Sequence, residues 1–237
     1  VIYHNISFDI KNLLKAIFYP LNKNETINDF EKVFKDYIGS QYCVAFPYAR
    51  TGIYFSLKSQ DYEKGAEILM PPITIKPILD VVLDLKLKPV FVDINEKDNL
   101  IDCSKVEKKI TKKTKVIIAV NLYGQSADYK KLNKIAKKYR INIIEDCAQS
   151  TGAKYFKKPS GSFGLLSAFS FYPTKQITTG EGGAILTNNS KIFKNSKEYH
   201  DHGHQLNPKF PRGKDTKEIY GFNYRMTEMQ GAIGKVQ

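Results

Sequence analysis

The chain has 237 residues, 42% of them hydrophobic and 26% charged, which is enough length and apolar content to bury a full core as one large domain or a domain plus part of another. No apolar run approaches the ~20 residues of a membrane-spanning helix, no N-terminal stretch reads as a secretory signal, and three widely spaced cysteines, Cys43, Cys103 and Cys147, argue against a disulfide framework or a CxxC metal or redox site. Lys and Arg number 37 against 24 Asp and Glu, a net charge of +13, but the basic runs Lys108 to Lys115 and Lys154 to Lys158 lack the aromatic interleaving of a nucleic-acid module and read as solvated faces. The expected protein is cytoplasmic, with no nucleic-acid or membrane partner.

In chain order, Ile27, Phe30, Phe34 and Tyr37 fall at helical spacing behind a Thr26 cap and predict an amphipathic helix. The apolar run Ile53 to Leu57 follows Arg50-Thr51-Gly52 and predicts a second helix start. Short β-rich runs come next, at 89–93, 115–120 and 141–145, the last two separated by a helix over 126–140 with Leu132, Ile135, Ala136 and Tyr139 on one stripe. Two further strands, 168–172 and 184–187, flank a Thr- and Gly-rich turn. The pattern from Met226 onward is helical up to Gln237, with no C-cap, so the natural protein is expected to continue. Continuous apolar strands joined by helices predict an α/β fold with a mostly parallel sheet covered on both faces. In such sheets ligands gather at the carboxyl ends of the strands, where Asp146 and the Tyr123-Gly124-Gln125 turn fall.

The segments Ile144-Glu-Asp146-Cys-Ala-Gln149 and Ser170-Phe-Tyr-Pro-Thr-Lys175 supply the groups that pyridoxal 5'-phosphate (PLP) chemistry asks of a protein. These are an amine to bond the cofactor, an anion for the pyridinium nitrogen, a phosphate cradle and walls for the ring. Lys175 stands beside a small-residue turn, Thr178 to Gly183, that lets backbone and ring approach closely. Asp146 ends an otherwise apolar strand, where a carboxylate is costly to bury without a cationic partner. Gln149 has an amide to offer the ring's phenolic oxygen. The start of the helix at Thr51-Gly52, with the Thr hydroxyl and the Ser170 hydroxyl, suits a dianionic phosphate. Taken singly, each has an ordinary explanation: a surface lysine, a salt-bridged or capping aspartate, a loop amide, a capping threonine. The combination carries the reading. His200, His202 and His204, spaced by two, lack acidic or Cys company for a metal site and read as a mobile loop near the substrate; no metal is expected.

In order along the chain, Pro71-Pro-Ile-Thr74, Val90-Phe-Val-Asp93-Ile, Leu122-Tyr-Gly-Gln125, Glu145-Asp-Cys-Ala-Gln149, Ser170 to Gly183 and Gly221 to Gln230 resemble the DegT/DnrJ/EryC1/StrS family of sugar aminotransferases, over about residues 25 to 237. The resemblance implies a fold-type-I PLP enzyme, similar to aspartate aminotransferase. Its large domain, 26–237 after an N-terminal segment 1–25, would carry a seven-stranded sheet, and a smaller C-terminal domain would be mostly missing. It implies that Lys175 bonds the cofactor, Asp146 partners the pyridinium, Gln149 meets the phenolic oxygen, and Thr51, Gly52 and Ser170 form the phosphate cradle. Asn223 would reach the phosphate from a neighbouring subunit, so a homodimer is implied. Three positions depart from the family pattern: Ile75 where an aromatic often stacks on the ring, Arg50 in place of a small residue, and Cys147 in place of alanine. Arg50 either adds a charge-assisted contact or points outward.

The implied activity moves an amino group from a donor such as glutamate to a nucleotide-linked keto-sugar, for amino-sugar and surface polysaccharide synthesis. The segment Ile177 to Gly183 is more similar to members that aminate the 4-position than the 3-position. A dehydratase branch of the family carries histidine where Lys175 stands, which favours transamination here. An inactive regulator need not preserve Lys175, Asp146 and Gln149 together. A dinucleotide-binding Rossmann enzyme fails for want of a G-x-G-x-x-G opening a helix.

Overall fold

The computed structural model describes residues 25–207, 209, 211 and 213–237. Apart from Glu25, the N-terminal segment 1–25 lies outside the described residues. Seven strands form one sheet: β1 (Tyr42–Phe46), β2 (Glu67–Met70), β3 (Lys88–Phe91), β4 (Thr114–Val120), β5 (Asn142–Asp146), β8 (Leu166–Ser170) and β9 (Gly183–Thr187). A separate two-residue hairpin pairs β6 (Lys154–Tyr155) with β7 (Lys158–Pro159). The order across the large sheet is β1-β9-β8-β5-β4-β2-β3. Only β9 runs against its neighbours; the other six strands share one direction. This is the seven-stranded, mostly parallel α/β sheet that the family resemblance implies.

The helices are α1 (Glu25–Ile38), α2 (Ala49–Lys58), α3 (Lys76–Asp84), α4 (Cys103–Val106), α5 (Tyr129–Tyr139), α6 (Ser190–His200) and α7 (Glu228–Val236). Strand β4 shows why both sheet faces must be covered. Val116, Ile118 and Val120 point into one apolar cluster with Ile53, Phe55, Ile78, Val82 and Ile192 of α2, α3 and α6, while Ile117 and Ala119 point into another with Tyr129, Leu132 and Ile135 of α5. Alternate side chains leave a strand on opposite faces, so a run with no polar residue has to be sandwiched. A third cluster joins Phe30, Phe34 and Ile38 of α1 to Phe169, Phe171 and Leu186. There the Phe34 ring meets the rings of Phe169 and Phe171 edge-on, at 5.0 and 5.3 Å, a preferred geometry for aromatic pairs.

Several local expectations shift. Thr26 lies within α1, its buried hydroxyl without a partner, so it does not cap the helix. Tyr37 is exposed and Ile38 takes its place in the core, because the buried stripe continues from Phe34 by four residues. Helix α5 starts at Tyr129 under an Asp128 cap, whose carboxylate accepts from Lys131 N, rather than at Ser126. Tyr139 sits half-exposed at its end. Strand β8 spans 166–170, two residues earlier than the aromatic run suggested. Strands β1 and β2 and helix α3 went unassigned in the sequence. Among the described residues no helix is long and apolar enough to cross a membrane.

Candidate active site at the strand ends

The carboxyl ends of β1, β2, β4, β5 and β8 open into a cavity of about 400 Å³, within the usual range for small-ligand sites. Its lining includes Tyr48, Arg50, Thr74, Ile75, Asn121, Asp146, Gln149, Ser170, Lys175 and Glu181. The crevice beyond the strand ends is where an open parallel sheet leaves backbone and loops free to meet a ligand. Five of the predicted site residues therefore meet on one wall set: Asp146, Gln149, Ser170, Lys175 and Ile75.

Asp146 closes β5 and is 4% exposed. Its Oδ1 accepts from Ala148 N at 3.0 Å, and among the described residues no cation lies within ion-pair distance of it. Burial pushes its carboxyl above the usual carboxylate range, and the Ala148 N–H and the Lys175 charge oppose that push. Lys175 is half-buried. Desolvation lowers its amine below the ordinary lysine range, while Asp146 pulls it back up. The two groups thus sense each other across the cavity without touching, which leaves room for a flat cation-bearing ring between them. A buried carboxylate with one backbone donor is a site that fits a protonated pyridine nitrogen.

The wall behind Asp146 is held by two buried polar groups that the sequence reading passed over. Asn121 follows β4, and its Oδ1 accepts from Ala127 N and the Tyr129 hydroxyl, both at 2.9 Å. Its amide donates to Ser160 Oγ at 3.2 Å and Cys147 Sγ at 3.4 Å, and its backbone N–H donates to the Asp146 carbonyl. Glu145 points to the other face of β5 and accepts from Gly161, Phe163 and Gly164 N–H groups at 2.6 to 2.8 Å. Burial raises its carboxyl, against those three donors. The signal in the sequence was the same for Asn121 as for Asp146: a polar residue ending an apolar strand. Cys147 is fully buried in this wall and burial pushes its thiol well up, so it is a packing residue and no nucleophile.

Gln149 Oε1 accepts from Tyr123 N at 3.2 Å, and its carbonyl accepts from Gly124 N at 2.9 Å. That brace holds Tyr123 at φ 57°, in the left-handed region. Because the partner of Oε1 is an N–H, the Gln149 NH₂ is left as a donor. Ser170 Oγ ends β8 and accepts weakly from Tyr172 N at 3.4 Å. Ile75 is the N-cap residue of α3 and 48% exposed, an aliphatic flank beside Ile73. Thr74 Oγ1, on the same wall, is buried without a partner.

Thr51 and Gly52 do not line the cavity. Helix α2 begins at Ala49, two residues before Thr51, and Tyr48 is its cap position, with no side-chain capping bond. Gly52 faces the sheet, where an added Cβ would lie 2.4 Å from Ile185 Cγ2. Gly183, at the start of β9, allows the same close approach at the helix start: a Cβ there would lie 2.2 Å from Ala49 N. Asn223 is exposed away from the cavity and bridges by backbone to Asp201. The three histidines do not meet at one point: His200 ends α6, buried with Nδ1 2.7 Å from Lys197 O and its ring against Phe46, whereas the rings of His202 and His204 stand 6.1 Å apart and His204 does have acidic company, pairing with Asp215 at 2.8 Å. Among the described residues no cluster of His, Cys, Asp and Glu could hold a metal.

Residues 9–237 match the model of the DegT/DnrJ/EryC1/StrS aminotransferase family. The chain belongs to this family. It is 37% identical over 213 residues to the GDP-perosamine synthase of Caulobacter vibrioides, covering 89% of this chain and 56% of that protein. Among solved structures, the aminotransferase from Psychrobacter cryohalolentis superposes with a TM-score of 0.88 at 30% identity, over 96% of this chain and 60% of that one. NtdA from Bacillus subtilis, solved with bound cofactor PMP, gives 0.86 at 29% identity, over 96% and 52%. The chain spans about half the length of the curated relatives it matches.

Proposed function

We propose that residues 26–237 are the cofactor-binding large domain of a PLP-dependent aminotransferase, which moves an amino group from a donor such as glutamate to a nucleotide-linked keto-sugar. The carrying observation is a buried, ion-pair-free Asp146 facing a half-buried Lys175 across one cavity at the strand ends. The names of the relatives, GDP-perosamine synthase among them, support an amino-sugar product; the lysine at position 175 counts against the dehydratase reading, and Lys175, Asp146 and Gln149 together at one cavity count against the regulator reading.

When bound, PLP supplies an electron sink for bonds at the carbon bearing the amine. Lys175 Nζ would hold it covalently and would serve as the group that carries a proton between carbons, a role helped by the lowered basicity that burial gives it. The Asp146 carboxylate would keep a proton on the ring nitrogen. Gln149 would donate to the phenolic oxygen, and Ile75 would flank the ring by dispersion. Ser170 and the first turn of α2 at Ala49 would receive the phosphate; Thr51, off the cavity wall, would serve by its place in that turn, and Gly52 by letting the helix lie close on Ile185. Asn223 completes the cradle of a second subunit in a homodimer, consistent with its exposure.

The test mixes the full-length protein with PLP, glutamate and a panel of nucleotide keto-sugars and follows 2-oxoglutarate. Product that depends on PLP and falls by about a hundredfold or more in Lys175→Ala is the expected result. A protein that stays colourless with added PLP, or forms no 2-oxoglutarate with any keto-sugar, refutes the proposal.

A further inference from the structure

Arg50 is the second residue of α2, exposed, and lines the same cavity as Asp146 and Lys175. Its guanidinium lies over the Tyr48 ring, 4.4 Å from the centroid. Among the described residues no carboxylate pairs with it, whereas Arg225 is paired to Asp201. Glu181, the second acid on the cavity wall, makes no ion pair with it either. The cavity therefore holds a permanent cation that is stacked and unpaired.

Stacking occupies the flat face of a guanidinium and leaves its edge N–H groups free. Those donors form a planar fork that matches two oxygens of one phosphate. The aromatic contact also reduces the freedom the side chain has to lose on meeting a ligand. A lysine at the same place would bring charge without the fork or the flat stack. An arginine placed only for solubility has no reason to be held against an aromatic ring inside the lining of the site.

We propose that Arg50 is an anion-recognition residue of this cavity, giving a two-pronged, charge-assisted contact to a phosphate group, either the monophosphate of the cofactor or the diphosphate of a nucleotide-linked substrate. The assignment rests on the proposed function for the identity of these ligands. It adds a charged contact to a cavity whose other phosphate candidate, Ser170, carries only a hydroxyl.

The experiment compares full-length wild type, Arg50→Gln and Arg50→Lys with two matched pairs of probes. Absorbance titration of the apoprotein measures PLP against pyridoxal, and calorimetry measures GDP, UDP and dTDP against their nucleosides. In one pair, Arg50→Gln weakens the phosphorylated probe by about tenfold or more, equal to 1.4 kcal/mol, and leaves the dephosphorylated probe within about twofold. Arg50→Lys falls between the two proteins, and the wild-type affinity for that probe drops more steeply with added NaCl. A loss in the PLP pair assigns the cofactor phosphate, and a loss in a nucleotide pair assigns the diphosphate. The inference is overturned by equal losses within both pairs or by no phosphate-dependent loss in either. Borohydride reduction separates this from the parent reading: a wild type that takes up PLP but fixes no adduct on Lys175 refutes the proposed function, while the paired titrations still report on Arg50.

Discussion

Replacing Gly52 by alanine should destabilise the protein and weaken the site, even though Gly52 touches no cavity. The new Cβ would sit 2.4 Å from Ile185 Cγ2 and 3.2 Å from Phe46 Cδ2, the first a full 1.0 Å inside the 3.4 Å at which ordinary contact begins. Ile185 is 0% exposed and β-branched on a strand between two others, so its methyl cannot swing aside. Overpacking of this kind costs roughly 1–3 kcal/mol. Alanine returns about 1 kcal/mol as the better helix former. The overlap is severe enough to put the net at a loss of about 1–2 kcal/mol. Relief comes from shifting α2, which also moves Ala49 and Arg50 at the cavity, so PLP affinity should fall with stability. Urea unfolding followed by far-UV circular dichroism measures the first, and absorbance titration the second. Ile185→Ala alone should cost about 2–5 kcal/mol, and the double variant should be less destabilised than the two losses summed by at least about 1 kcal/mol. A Gly52→Ala protein that gains stability, keeps its PLP affinity and shows no coupling to Ile185 would refute the packing argument.

Removing Lys175 as alanine should lower transaminase kcat by about 10²–10⁴-fold through loss of the proton carrier, with urea stability unchanged, and steady-state kinetics checks both. Burial lowers the Lys175 amine and Asp146 raises it, so PLP capture by the apoprotein should rise with pH through a midpoint below 10.5, and Asp146→Asn should move that midpoint lower still; stopped-flow absorbance that places it unchanged or higher contradicts the assignment. The His200 imidazole is held down to about 4 from 6.5 by burial. Its folded value lies below its unfolded one, so the stability it preserves is present above about pH 6.5 and is lost as pH falls towards 4, amounting to about 2 kcal/mol at pH 5. The difference in unfolding free energy between wild type and His200→Gln, taken at pH 7 and pH 5, should show that slope. Lys197 Nζ lies 2.7 Å from both Glu31 oxygens, and Glu31 also accepts from Ala45 N at 2.8 Å. Because the pair is mostly buried, Glu31→Gln or Lys197→Met alone should cost about 3–5 kcal/mol, and the two together less than their sum; thermal melts of the three variants test it.

Much of the fold was legible because it depends on local pattern. Unbroken apolar runs such as 115–120 have to be strands buried on both faces, and the stripe at Leu132, Ile135 and Ala136 has to be a helix on that sheet. Strands β1 and β2 escaped because four or five residues such as Glu67-Ile-Leu-Met70 fit a helix turn as well as a strand, and only pairing decides, with β9 for β1 and with β3 and β4 for β2. Helix ends slipped for a related reason. Asp128 rather than Ser126 caps α5, since both residue types cap well and the position of Tyr129 against Phe163, with ring centroids 4.9 Å apart, selects between them.

By itself the sequence determined which chemical groups are present and which run of the chain carries each: an amine at Lys175, a carboxylate at the end of an apolar strand at Asp146, an amide at Gln149. Charge and polarity are properties of single residues, and burial of a strand is a property of its own period, so both survive without a fold. Tertiary structure alone decided that Lys175 and Asp146 share a cavity without pairing, that Asn121 and Glu145 hold its back wall, that Arg50 enters it stacked on Tyr48, and that Gly52 faces Ile185 instead. Each of these depends on how far apart two segments distant in sequence come to rest, and that distance is set by how the helices pack on the sheet.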